Sequence, residues 1–109
     1  FIGGLFTPSS SGETMEVTSP VDNTVIGSVA LSNADDVNNA VAVAKAAFPA
    51  WSSLTTNARC AVLFRYQHLL EEHADELAEI VIRENGKNRA EALASVAKGN
   101  ETVRWACGL

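Results

Sequence analysis

The stretch that most constrains this chain runs from Thr55 to Lys87, TTNARCAVLFRYQHLLEEHADELAEIVIRENGK, with no proline or glycine until Gly86. Every backbone amide in it can therefore enter a helical ladder, and nothing interrupts one until the glycine. Val62, Leu63, Tyr66, Leu69, Leu70, Leu77, Ile80 and Val81 recur at three- and four-residue steps, which places them on one helical face. The spacing predicts one long amphipathic helix, or two shorter ones in phase. Thr56 or Asn57 is the expected cap at its start, and Asn85-Gly86 the left-handed stop at its end. Such a stripe has to be covered, and what covers it decides what the chain can be.

The first thirty residues read as strands. Phe1 to Phe6, FIGGLF, has the pattern of a strand bending into its neighbour, and Pro8 to Gly12 that of a mobile turn. Met15 and Val17 alternate with polar neighbours, Asp22-Asn23-Thr24 is a second turn, and Val25 to Leu31 a strand. A small antiparallel hairpin or meander results, which must lie on another surface because two or three short strands are not stable alone. Ser32 followed by Asp35 resembles a capping box, after which Val37, Ala40, Val41, Ala44 and Phe48 keep helical spacing up to a stop at Pro49. Trp51, beyond that stop, is expected to fold back as an apolar plug. Asn88 with Glu91 opens a last helix through Leu93, Val96, Val103 and Cys107, with Gly99 in its middle. The expected fold class is thus α+β: short antiparallel strands over residues 1–31, then three helices over residues 32–109, with no strand-helix-strand alternation.

Charge and composition narrow the function classes. A net charge of −5 with only eight basic residues, scattered along helices, offers no concentrated surface to a phosphate backbone, so nucleic acid is not an expected partner. The longest apolar run, Ala40 to Ala44, is far too short for a membrane span. Cys60 and Cys107 fit no metal spacing and are too few for a disulfide scaffold, so they read as free thiols in a reducing compartment, with a bridge between them the less favoured alternative. His68 and His73 are five residues apart and point to different helical faces, unlike the four-residue spacing of a zinc pair. Gly86-Lys87 lacks the other parts of a phosphate loop. Asn100-Glu101-Thr102 matches a glycosylation acceptor, a frequent chance pattern, and the acidic run Glu71, Glu72, Asp75, Glu76, Glu79 reads as a solvated helix face. No catalytic or metal-binding residue emerges from the chain's own chemistry. Phe1 in place of a start methionine, and a helical-looking last segment, lead us to expect a cut at both ends.

Taken together, the VIGSV strand, a helix ending in AAFPAW, the run LFRYQHLLEEH and the terminator RENGK closely resemble the amino-terminal segment of the aldehyde dehydrogenase superfamily. FIGG, FPAW at 48–51, LFRYQ at 63–67 and KGNETVRWAC at 98–107 are most similar to its methylmalonate-semialdehyde dehydrogenase branch. The resemblance covers essentially the whole chain. Ser19-Pro20 departs from it, standing where the superfamily usually has Asn-Pro.

This resemblance implies an NAD-dependent parent enzyme that oxidises an aldehyde through a cysteine thiohemiacetal, hydride transfer and a thioester. In the methylmalonate-semialdehyde branch the thioester passes to coenzyme A. It also implies a homo-oligomer, dimer or tetramer, in the cytoplasm or the mitochondrial matrix. The family's nucleophilic cysteine, its glutamate and its oxyanion asparagine match nothing here, so the chain is expected to carry no catalytic residue and no NAD site. One residue is assigned a role: Lys98, whose pairing with Gly99 resembles an Arg-Gly pair of that branch, where the arginine helps hold the substrate carboxylate. A self-standing helical interaction module, docking a partner on the apolar stripe, is the second reading.

Overall fold

The computed structural model describes residues 1–108. They form two strands, β1 (Thr14–Thr18) and β2 (Val25–Ala30), followed by four helices, α1 (Ala34–Ser52), α2 (Thr56–Glu72), α3 (Ala74–Asn85) and α4 (Arg89–Cys107). The strands make one antiparallel pair, with Thr14 opposite Ala30, Glu16 opposite Ser28 and an irregularity between Val17 and Thr18. Strands first and helices after is the expected α+β order. The backbone clusters into two compact units: residues 1–18 with 25–54, and residues 19–24 with the chain from Thr55 onward.

In the first unit, Phe1 to Phe6 makes no regular strand. Gly3 and Gly4 both adopt positive φ, and a tight turn closes with Ile2 and Leu5 exchanging backbone hydrogen bonds. The serine turn is pinned down rather than free: the Ser10 amide donates to Asp36 Oδ1 at 2.9 Å, and the Ser9 hydroxyl lies 2.8 Å from Asp36 Oδ2. The cap of α1 falls one residue later than the sequence suggested. Asn33 Oδ1 accepts from the amides of Asp35 and Asp36, while Asp36 Oδ2 accepts from the Asn33 amide, a complete capping box. Asparagine caps at least as well as serine, and Asp36 has partners on the serine turn that Asp35 lacks.

Helix α1 also continues through Pro49, where a stop was expected, and Trp51 lies inside it rather than folding back. Proline removes only its own amide. The carbonyls after it are still taken up, with the Ser53 amide and the Ser52 hydroxyl donating to Pro49 O, and the Ser53 hydroxyl to Ala50 O.

In the second unit the long stretch becomes two helices, the second of the two forms expected for it, giving four helices in all where the count of three took it as one. His73 is the joint, with φ −99° and ψ 18°; its amide donates to Leu69 O, its carbonyl accepts from the Leu77 amide, and its ring pairs with Glu76. Both α2 and α3 pack against α4, and the bend lets each reach it. Thr55, one residue ahead of the expected caps, accepts from the Ala58 amide at the start of α2. Gly86 closes α3 at φ 70°, and Asn88 opens α4 by accepting from the Glu91 amide, both as read from the sequence. Ala78 and Ala92 are fully buried, one on each helix of the α3–α4 pair, so small side chains line the closest packing.

The apolar stripe divides. Leu63, Leu70, Leu77 and Val81 are half-buried, whereas Tyr66, Leu69 and Ile80 are exposed. Among the described residues no large side chain is fully buried. The turn between the strands shows why Ser19 can stand in for asparagine: its hydroxyl accepts from the Val21 amide at 3.2 Å, the bond an asparagine side chain would make before proline.

Candidate functional site

The densest polar contacts of the second unit lie where α2 meets α4. Gln67, one helical turn before Glu71, donates to Glu71 Oε1 at 3.1 Å. The same oxygen accepts from Asn100 Nδ2 at 3.1 Å and from Arg104 Nη2 at 3.3 Å, which ties the end of α2 to the middle of α4. These donors, Gln67 first and then Asn100 and Arg104, hold the Glu71 carboxyl below its ordinary value. Asn100 is buried, and its Oδ1 has no hydrogen-bond partner among the described residues. Beside this cluster is an open cavity of about 480 Å³, floored by Leu70, Leu93 and Val96 and edged by Glu71, Asn100 and Arg104.

Lys98 stands on the solvent side of α4, with its ammonium 2.6 Å from Glu101 Oε2 one turn on. That pair raises the lysine and lowers the glutamate from their ordinary values. Glu101 edges the cavity; Lys98 does not line it. At Gly99 an added methyl group would meet no atom within 4 Å, so no neighbour among the described residues requires a glycine there.

The residues weighed as motifs fall elsewhere. Among the described residues no group of three metal-binding side chains exists. The amide nitrogen of Asn100 that a glycan would need is engaged by Glu71. Glu71 and Asn100 were not recognised as partners in the sequence, because one sat in an acidic run and the other in a chance motif. The i,i+4 spacing of Gln67 and Glu71 was the only available signal. No described helix is long and apolar enough to cross a membrane.

A dinucleotide asks for parallel strands joined through a helix, with a helix amino terminus free to face the pyrophosphate. The two strands here are antiparallel, and the amino terminus of α1 is filled by Asp36, Asn33 and the serine turn. The strand pair and the start of α1 thus supply no such crevice.

What these elements define is an α+β segment, one antiparallel strand pair followed by four helices. Residues 6–109 match the sequence profile of the aldehyde dehydrogenase family, and the chain belongs to that family. It is 41% identical over 108 residues to malonate-semialdehyde dehydrogenase 1 of Geobacillus kaustophilus (strain HTA426), and 44% identical over 108 residues to malonate-semialdehyde dehydrogenase of Halalkalibacterium halodurans; each match takes in 99% of this chain. The chain spans about a fifth of the length of these curated relatives, 22% in each case. Its backbone superposes with a TM-score of 0.93 on a mutant of the P. syringae indole-3-acetaldehyde dehydrogenase in complex with NAD+ and IAA, at 35% identity over 99% of this chain and 22% of that one.

Proposed function

We propose that this chain is the amino-terminal segment of an NAD-dependent semialdehyde dehydrogenase of the malonate or methylmalonate type, whose thioester intermediate passes to coenzyme A. The observation that carries the reading is the identity of 41% and 44% to two malonate-semialdehyde dehydrogenases, running the length of the chain rather than residing in one motif. The NAD+ held by a relative of the same fold supports the cofactor. In this reading neither Cys60 nor Cys107 is the family's nucleophile, the segment alone is inactive, and its part is to shape and support the parent subunit. The parent is a homo-dimer or tetramer of the cytoplasm or the mitochondrial matrix, acting on a small semialdehyde with no role for nucleic acid or membrane.

Within that reading Lys98 anchors the substrate carboxylate. A semialdehyde carries its carboxylate at one end and the reacting carbonyl at the other, so fixing the first orients the second. The ammonium is exposed, and its partner Glu101 is an exposed group on the same helix, which an incoming carboxylate can replace. Lysine keeps the charge of an arginine but not its two-pronged grip, so the anchor orients less strictly.

The test uses the full-length parent, assayed with malonate or methylmalonate semialdehyde and NAD, with and without coenzyme A. Activity requiring coenzyme A supports the assignment, and preference for an uncharged aldehyde overturns it. For the anchor, Lys98→Ala should lose roughly tenfold in kcat/KM on the carboxylated substrate, the scale of one charge-assisted hydrogen bond. An uncharged aldehyde of similar size should be oxidised as before. Equal activity of variant and parent on both substrates removes Lys98 from the site.

A further inference from the structure

Both cysteines are free, and the fold brings them to one place. Cys60 lies in the second turn of α2 and Cys107 is the last residue of α4, 47 positions away in sequence. The two helices run antiparallel, as the contacts Cys60 to Cys107 and Glu71 to Asn100 show together. The Cys60 thiol lies 3.6 Å from the backbone oxygen of Cys107, so its sulfur rests against the residue that carries the second thiol. Their exposure differs: Cys60 is half-buried and reachable from solvent, whereas Cys107 is buried beside it.

We propose that Cys60 and Cys107 are a peroxide-responsive thiol pair, in which Cys60 is oxidised first and Cys107 resolves it as an intramolecular disulfide. The oxidant is a hydroperoxide. The Cys60 thiolate attacks one peroxide oxygen, the O–O bond breaks, and hydroxide leaves to take up a proton as water, which leaves Cys60 as a sulfenic acid. The Cys107 thiolate then attacks the Cys60 sulfur, the S–S bond forms, the S–O bond breaks, and a second water departs. Two thiols have lost two electrons to one hydroperoxide, and a dithiol reductant reverses the change. Geometry assigns the order, since Cys60 is the more exposed of the two thiols and Cys107 is buried against it. The bridge then fastens the start of α2 to the end of α4. This proposal does not depend on the enzymatic reading.

The experiment exposes the full-length protein, native and at low micromolar concentration, to a few equivalents of hydrogen peroxide, blocks remaining thiols with N-ethylmaleimide and digests with trypsin without reduction. Cleavage after Arg59, Arg65 and Arg104 releases CAVLFR, residues 60–65, and a peptide beginning at Trp105. The expected result is these two peptides covalently joined, in a yield independent of protein concentration and abolished by dithiothreitol. In Cys107→Ser, Cys60 should stop at the sulfenic acid and be trapped by dimedone. The parent protein overturns the proposal without any variant if Cys60 ends as sulfinic acid or a dimedone adduct with no linked peptide. So does a linkage that grows with protein concentration, or recovery of both thiols unreacted.

Discussion

At Asp36 one carboxylate joins the cap of a helix to a turn more than twenty residues earlier. It accepts from the Asn33 amide, the Ser10 amide and the Ser9 hydroxyl, and these, the Asn33 bond foremost, hold its carboxyl well below the usual carboxylate range. Because the folded value is depressed, the stabilisation from this group is complete above the ordinary value of 3.8 and is lost as pH falls through the folded value. Asp36→Asn keeps the shape but not the charge, and it turns one of the two accepting oxygens into an amide nitrogen that cannot accept. In thermal unfolding of the full-length protein the variant should melt lower than the parent at pH 7, and the gap should close progressively as the pH drops below about 4. A gap that persists unchanged into acid would show that the charge of Asp36 contributes nothing. Asn33, the other half of the box, accepts from two α1 amides and from the Ser10 hydroxyl. Asn33→Ala should cost about 1 kcal/mol of stability, the ordinary value of a lost cap, read from the denaturation midpoint at constant m.

Among the elements, the one whose end was most legible is α3. Asn85-Gly86 reads as a left-handed stop, and Gly86 has φ 70° with a further constraint that sequence cannot show. A methyl group added there would lie 3.2 Å from Pro20 Cγ and 3.5 Å from Val21 Cγ2, so the backbone strains a side chain and the Pro20 ring must also give way by a few tenths of an ångström to admit one. Gly86→Ala should destabilise by more than 1 kcal/mol, and Gly86→Asn should recover nothing although asparagine tolerates the conformation, because its side chain meets the same proline. Equal midpoints for parent and alanine variant in urea would refute this crowding. The order of strands and helices, the Asn88 cap and the antiparallel hairpin were legible for the same reason as this stop: each rests on local residues with one dominant conformational habit. The break at His73 was not, because no proline or glycine marks it and its reason is packing, with α2 and α3 each turned toward α4. Pro49 misled in the opposite sense, since a proline three residues from a helix end deletes one bond without forbidding the serine-capped turn that follows. Of the candidate site, Lys98 could be named only through family resemblance. The Glu71–Asn100–Arg104 contacts join residues about thirty apart, which no periodicity reveals.

For the molecule as a whole, the apolar surface left uncovered sets the expected behaviour in solution. On the helices of the second unit Phe64, Tyr66, Leu69, Ile80 and Trp105 are exposed, Trp105 at 75%; on α1 the residues Val37, Val41 and Phe48 are exposed along one face. Among the described residues the buried apolar ones are only Ala78, Ala92 and Cys107, so hydrophobic burial within residues 1–108 is small. A chain with this imbalance gains most by covering its stripes with something else, and for a polypeptide alone in water the available cover is another copy of itself. Relatives of this family are about five times as long, the chain being 22% of their length, which offers ample chain to provide the cover within one subunit. Isolated residues 1–109 should therefore self-associate, with a sedimentation coefficient that rises across the micromolar range, strong dye binding to apolar surface, and a broad, weakly cooperative thermal transition. Charging the exposed face with Phe64→Glu and Leu69→Lys should reduce association of the isolated chain, since both side chains line the same shallow apolar cavity on α2. On the proposed reading those positions face protein in the full-length parent, where the same pair should lower stability instead. A concentration-independent monomer that unfolds in one sharp transition would show that the segment closes its own core. It would restore the self-standing interaction module as the better account of the stripe.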